Sequence, residues 1–107
     1  FVAMADVDRA VTAGRTEGFV KLIAGPRPLL RDVGGGRLLG ATIVCPRAGE
    51  MVHEVARAMH TNMFTGRLAQ AVHAYPTWST ALRQAAAQFF GKIDGRSARP
   101  AGVPPDR

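Results

Sequence analysis

The sequence is poor in cysteine and in long apolar runs. Cys45 is the one cysteine, so no disulfide can form within the chain and nothing indicates an oxidising compartment. No apolar run approaches the roughly 18 residues that a membrane-spanning helix needs, and no signal peptide opens the chain. We therefore expect a cytoplasmic protein with no membrane association.

Acidic residues and lysines are also scarce. Lysine and arginine number 14 against 8 aspartate and glutamate, giving a formal net charge of +6, and the lysines are only Lys21 and Lys92. A basic balance favours anionic partners, but the charges are scattered singly and three lie at Arg96, Arg99 and Arg107 near the end. We expect no nucleic-acid partner. A small basic interaction module that binds an anionic partner such as nucleic acid remains the alternative function.

The chain has 107 residues, of which 47% are hydrophobic and 21% charged, as expected for one globular domain. It begins within an apolar stretch, residues 1–4. We expect a fragment whose N-terminal strand is truncated, with a domain at residues 1–94. Residues 95–107 are rich in proline and glycine, which predicts a mobile tail.

Two strands are predicted in the first half. Residues 18–24 are short, β-branched and aromatic, and Gly25-Pro26 closes them. Residues 37–45 form a second such run, and the glycines at 34–36 between the runs predict a turn. Because a parallel crossover needs a dozen or more residues, this pair is predicted to be antiparallel.

Helices are predicted in the second half. From about Ala48, apolar residues recur at helical spacing. They are Met51, Val52, Val55, Ala56 and Met59. Gly66 is expected to break this helix, and Thr77 to cap a final helix over residues 78–90. Strands followed by helices predict an α+β fold, in which helices pack on an antiparallel sheet.

The sequence gives little indication of a metal-binding site. His53 and Glu54 begin like a zinc-protease helix signature, but Arg57 stands where the second histidine is needed. His60 shares the face of His53, and two histidines leave zinc without its usual further ligands. We expect no metal site and keep a small metal-binding protein using these histidines as a third hypothesis. Cys45 is expected to be a small buried hydrophobe.

Residues 73–79 are the least generic segment. They place a histidine, two aromatics, a proline and hydroxyl residues between the predicted helices. Composition leaves two interpretations open. The segment is either a structural turn between two helices, with the aromatic rings packed in it, or a functional site.

Four segments, at residues 18–22, 38–44, 48–52 and 75–77, occur in the order and spacing of one family. The chain resembles the C-terminal dimerisation domain of the pyridine nucleotide-disulfide oxidoreductases, among them glutathione reductase, dihydrolipoamide dehydrogenase and mercuric reductase, over residues 6–90. The resemblance implies a homodimer and a parent enzyme that uses FAD and NAD(P)H. Their sites lie upstream in the family, so the fragment is expected to bind neither cofactor and not to be catalytic alone.

The family carries His-Pro-Thr followed by glutamate, and the histidine acts as acid/base. Tyr75 holds the histidine position here, as in mercuric-reductase-like members, and Thr80 holds the glutamate position. A tyrosine is a poor base at neutral pH, but it can donate a hydrogen bond to a substrate. The resemblance implies that Tyr75 and His73 act in the partner's active site, with Pro76 and Thr77 near its flavin. It also implies a cis Tyr75-Pro76 bond.

The implied interface includes the outer face of the sheet and the last two helices. Apolar residues in the final predicted helix, Trp78, Leu82 and Phe89, are expected to be exposed and to lie in that interface, because obligate interfaces are largely apolar.

Overall fold

The computed structural model describes residues 1–104, and residues 105–107 of the predicted tail lie outside the described residues. A three-stranded antiparallel sheet has the order β1 (Val2–Ala3), β2 (Phe19–Gly25) and β3 (Arg37–Val44). The sheet with its helices confirms the α+β prediction, and the two predicted strands and their direction are also confirmed.

Within residues 1–104, four α-helices accompany the sheet. They are α1 (Asp8–Thr12), α2 (Ala48–His60), α3 (Thr65–Gln70) and α4 (Thr80–Ala87). Short 3-10 helices lie at Met4–Asp6 and Val33–Gly35. α2 packs against β3, and α4 packs against β2 and α3.

Alternation along the strands separates a buried face of the sheet from an exposed one. On β2, Val20 and Leu22 are buried while Lys21 is exposed, because successive side chains of a strand point to opposite faces. The core joins the buried face to apolar residues of the helices. These include Met51, Val55 and Ala58 of α2 and Ala81, Leu82, Ala85 and Ala86 of α4. On the outer face Val44 is 49% exposed, and Leu39, at the register shift of β3, is also 49% exposed.

Two helix boundaries differ from the prediction. Gly66 does not break α2, since that helix ends at His60 and is followed by Asn62 at a φ of 52°. Gly66 lies inside α3 instead. α1 was not predicted, because five residues are too few to establish a helical period.

Thr77 is not the cap of the last helix. α4 begins at Thr80 with Ser79 before it, and the Thr77 hydroxyl donates to the Ala74 carbonyl oxygen at 2.6 Å. A threonine hydroxyl can bond to backbone groups of a turn as well as to those at a helix end. Here the Thr77 hydroxyl bonds within the turn.

The segment after α4 contacts the domain. The Ala98 amide donates to the Gln88 carbonyl oxygen at 3.1 Å, and the Arg96 guanidinium lies 3.7 Å from the Asp6 carboxylate. The mobility of residues 95–107 stays a prediction. Across residues 1–104, no helix is both long and apolar enough to cross a membrane.

Candidate functional site

The site segment, residues 73–78, joins α3 to α4 through a closed turn. The Tyr75-Pro76 peptide bond is cis, as predicted. The Thr80 hydroxyl donates to the Thr77 carbonyl oxygen at 2.7 Å, in addition to the Thr77 bond to Ala74. These bonds give the turn a defined shape at the surface.

His73 ties the start of the site segment to α2. Its Nε2 lies 2.6 Å from Glu54 Oε2, and its Nδ1 lies 2.9 Å from the Ala71 carbonyl oxygen. Each ring nitrogen of His73 therefore has an oxygen atom within hydrogen-bond distance. The His73 side chain is 6% exposed. With both nitrogens engaged, this geometry favours positioning of the segment over direct proton transfer by His73.

Replacing Glu54 with glutamine should weaken the attachment of the site segment to α2. We expect the free energy of unfolding to fall by about 1–2 kcal/mol, because a charge-assisted hydrogen bond to a largely buried ring is lost. Urea unfolding of Glu54→Gln, His73→Ala and the double variant gives the coupling energy between the two residues. Strictly additive effects would show that the two side chains do not interact.

Tyr75 ties the middle of the site segment to α1. Its hydroxyl donates to the carboxylate of Asp8, the first residue of that helix, while the residue stays 72% exposed. The hydrogen bond and charge of Asp8 raise the pKa of the Tyr75 phenol above its ordinary value of 10.0. Tyr75 is therefore still less suited to act as a base at neutral pH, and it is suited to donate a hydrogen bond.

Tyr75 is the one tyrosine of the chain, so its titration can be followed directly by ultraviolet absorption. We expect Asp8→Asn to lower the pKa of Tyr75 towards 10, because the stabilised neutral phenol loses its charged partner. The raised folded pKa means that this contact stabilises the fold below pH 10 and is lost as the pH rises through the folded pKa. An identical titration midpoint in both proteins would exclude the contact in solution.

Trp78 extends the contact with α1. The Arg9 guanidinium carbon lies 5.6 Å from the centroid of the Trp78 ring, within the range of a cation–π contact. Asp8 and Arg9, at adjacent positions, therefore meet the site segment at two points. Neither these two residues nor Glu54 was predicted. No local pattern connects residues this far apart in sequence, so only the fold reveals them.

The predicted interface residues differ in exposure. Leu82 is completely buried within the core, which corrects the expectation that it is an exposed interface side chain. Trp78 and Phe89 are half-buried and pack against the core, so part of each remains available to a partner. Phe90 is 55% exposed.

Metal ligands are not gathered anywhere in residues 1–104, where no group of three or more His, Cys, Asp and Glu side chains could hold an ion. His53 and His60 are both exposed on α2. Cys45 is half-buried against the core, and its thiol donates to the Met51 sulfur at 3.4 Å.

Comparison with known proteins relates most of the chain to one family. Residues 2–86 match the family model of the pyridine nucleotide-disulphide oxidoreductase dimerisation domain. Over 84 residues the chain is 37% identical to mercuric reductase of Acidithiobacillus ferrooxidans, covering 78% of this chain and 14% of the relative. It is 34% identical over 84 residues to dihydrolipoyl dehydrogenase 1, mitochondrial, of Arabidopsis thaliana, covering 78% of this chain and 15% of the relative.

A third relative is the dihydrolipoyl dehydrogenase of Halobacterium salinarum, which is 37% identical over 83 residues, covering 78% of this chain and 16% of the relative. The match thus spans only about one seventh of the length of these relatives.

Proposed function

The chain belongs to the pyridine nucleotide-disulphide oxidoreductases, as their dimerisation domain, and from this premise we propose that it forms the homodimer interface of an FAD- and NAD(P)H-dependent oxidoreductase. The match over residues 2–86 carries the proposal. The alternative of a basic module for an anionic partner is not favoured, because the family match already accounts for most of the chain. A cytoplasmic location stays a prediction.

We place the two-fold interface on the outer face of the sheet and on the last two helices. The outer face carries Val44, which is 49% exposed, and within residues 1–104 the helices pack on the opposite face. Burying such apolar side chains is the main source of affinity in obligate dimers, which commonly bury about 2,000 Å² or more.

The site segment is proposed to enter the active site of the partner subunit. Tyr75 is held outward, and its phenol donates a hydrogen bond, so it fits the role of orienting a substrate or a thiolate. Pro76 and Thr77 would lie near the partner's flavin. FAD and NAD(P)H supply the electron transfer when bound, and we assign their binding to other parts of the enzyme. His73 holds this segment through Glu54.

Sedimentation equilibrium tests the dimer. We expect Trp78→Ala to weaken association by about tenfold or more, because truncating a partly exposed aromatic anchor commonly costs over 1 kcal/mol. Trp78→Phe is the control, since it keeps an aromatic ring and should retain most of the affinity. A wild-type protein that is monomeric at all concentrations would contradict the proposal.

The activity is tested on the full-length protein. Visible absorption should reveal bound flavin, and NADH and NADPH oxidation is followed with disulfide, quinone and mercuric acceptors. Bound flavin with nicotinamide oxidation supports the proposal and ranks the acceptors. A colourless protein without turnover, together with steeply salt-dependent binding to nucleic acid, would favour the interaction module instead.

A further inference from the structure

The Tyr75 hydroxyl has a single hydrogen to donate, and Asp8 receives it. A phenol carries one O–H donor, although its oxygen atom can accept further hydrogen bonds. The hydroxyl donates to the Asp8 carboxylate, so a second acceptor finds no phenol hydrogen while this bond lasts. The proposed donation from Tyr75 to a substrate or a thiolate therefore competes with the bond to Asp8.

Both partners of this bond lie at the surface of the domain. Tyr75 is 72% exposed, and Asp8 is exposed at the start of α1. Water can therefore hydrate the carboxylate when the phenol turns away, and water also screens the attraction between the two groups. Because the net strength of such a bond is small, another acceptor can displace Asp8 from the hydroxyl.

The backbone on either side of Tyr75 is held by other contacts. The Thr77 hydroxyl donates to a carbonyl oxygen within the turn at 2.6 Å. His73 joins the start of the site segment to α2, with 2.6 Å between its Nε2 and Glu54 Oε2. Neither contact involves Asp8, so the phenol can leave the carboxylate by rotation of its side chain while the turn stays closed.

We propose that Asp8 is a positioning residue, which keeps the Tyr75 hydroxyl occupied until the substrate or thiolate of the partner's active site replaces it. The proton stays on the phenol, and only its acceptor changes, from the Asp8 carboxylate to the incoming sulfur or oxygen atom. Because the bond to Asp8 must break first, Asp8 lowers the apparent affinity of Tyr75 for that atom. This inference rests on the proposed role of Tyr75 and extends it to a residue of α1.

The test measures kcat/KM for the electron acceptor on the full-length protein. NADH and NADPH oxidation is followed with lipoamide, a disulfide, and with menadione, a quinone. Asp8→Asn keeps the shape of the side chain and removes its charge, which weakens its bond to the phenol. With the faster acceptor, we expect kcat/KM to rise about three- to tenfold, because the phenol is free to donate in more of the molecules.

Tyr75→Phe is the background that identifies the cause of this rise, since it removes the hydroxyl and keeps the ring. Without the hydroxyl, Asp8 holds no phenol hydrogen, so adding Asp8→Asn to Tyr75→Phe should change kcat/KM by less than about twofold. The matched charge control is Asp32→Asn, which removes an exposed carboxylate in the connection between β2 and β3. This control should stay within about twofold of the wild type, because exposed charges are screened.

Two results would overturn the inference and leave the proposed function intact. If Asp8→Asn lowered kcat/KM or left it unchanged, Asp8 would not withhold the hydroxyl, and a fall would show that the contact supports catalysis by holding the ring. If the rise were equal with and without the Tyr75 hydroxyl, the charge of Asp8 alone would explain it.

Failure of the proposed function gives different results. A protein without bound flavin or turnover would contradict the assignment to an oxidoreductase. A Tyr75→Phe variant with the kcat/KM of the wild type would remove the role of Tyr75, and the inference about Asp8 would be overturned with it.

Discussion

Leu82→Ala is expected to lower the free energy of unfolding by about 2–5 kcal/mol, which is the range for truncating a fully buried leucine. Leu82 is completely buried and lies in the core on α4. The change removes apolar contacts and leaves a cavity that the neighbouring helices fill only partly. Urea unfolding, with circular dichroism as the probe, measures the loss. For a domain of this size, the melting temperature should fall by roughly 10 °C or more.

The matched control for Leu82 is Leu29→Ala, which removes the same atoms from a side chain that is 92% exposed. At a dilution where association does not contribute, this variant should unfold within about 0.5 kcal/mol of the wild type. The core and interface roles of Leu82 are separated when sedimentation equilibrium is measured beside unfolding. A Leu82→Ala protein with wild-type stability and weakened dimers would restore the interpretation of Leu82 as an interface residue.

α4 illustrates how far its amino-acid pattern can be interpreted. A segment rich in alanine and glutamine predicts a helix there, and the structure has one, but the composition does not say which surface covers its apolar side chains. Ala81, Leu82, Ala85 and Ala86 face the domain's own core, whereas Trp78 and Phe89 are covered only in part. Both environments select apolar residues, so core and interface cannot be distinguished without the fold.

The elements with a clear period were predicted well, and those decided by distant contacts were not. β2, β3 and α2 are long enough for alternation or helical spacing to be counted. α1 has five residues, which are too few for a helical period, so its helical conformation depends on contacts with the rest of the domain. The start of α4 was misplaced because a threonine hydroxyl can satisfy either a helix end or a turn, and that of Thr77 bonds within the turn.

In the site, too, the residues with a local sequence signal were predicted and those held by distant contacts were not. Tyr75, with its neighbours, was recognised from the unusual composition of the segment and from the family resemblance. Its partners Asp8, Arg9 and Glu54 were not, because ion pairs and ring contacts across the fold leave no local pattern. The contacts of His73 with Glu54 and with the Ala71 carbonyl oxygen are likewise visible only in the fold.

Gly36→Ala is expected to destabilise the domain by about 2–4 kcal/mol. Gly36 is buried, with a φ of 72° and a ψ of −148°, a region that essentially only glycine adopts and that costs other residues about 1–3 kcal/mol. An added Cβ would also overlap the carbonyl oxygen of Gly25. Since that atom belongs to the backbone of β2, relief requires the strands to separate. Thermal unfolding measures the effect.

Gly40→Ala is the matched control, four residues further on and within β3. A Cβ at Gly40 meets nothing within 4 Å, and the residue has no positive φ. Alanine also loses less backbone entropy on folding than glycine, so this variant should be neutral or more stable by up to about 1 kcal/mol. Equal losses at both positions would mean that β3 tolerates no side chain in general. A loss confined to Gly36 would locate the strain in the turn that leads into β3.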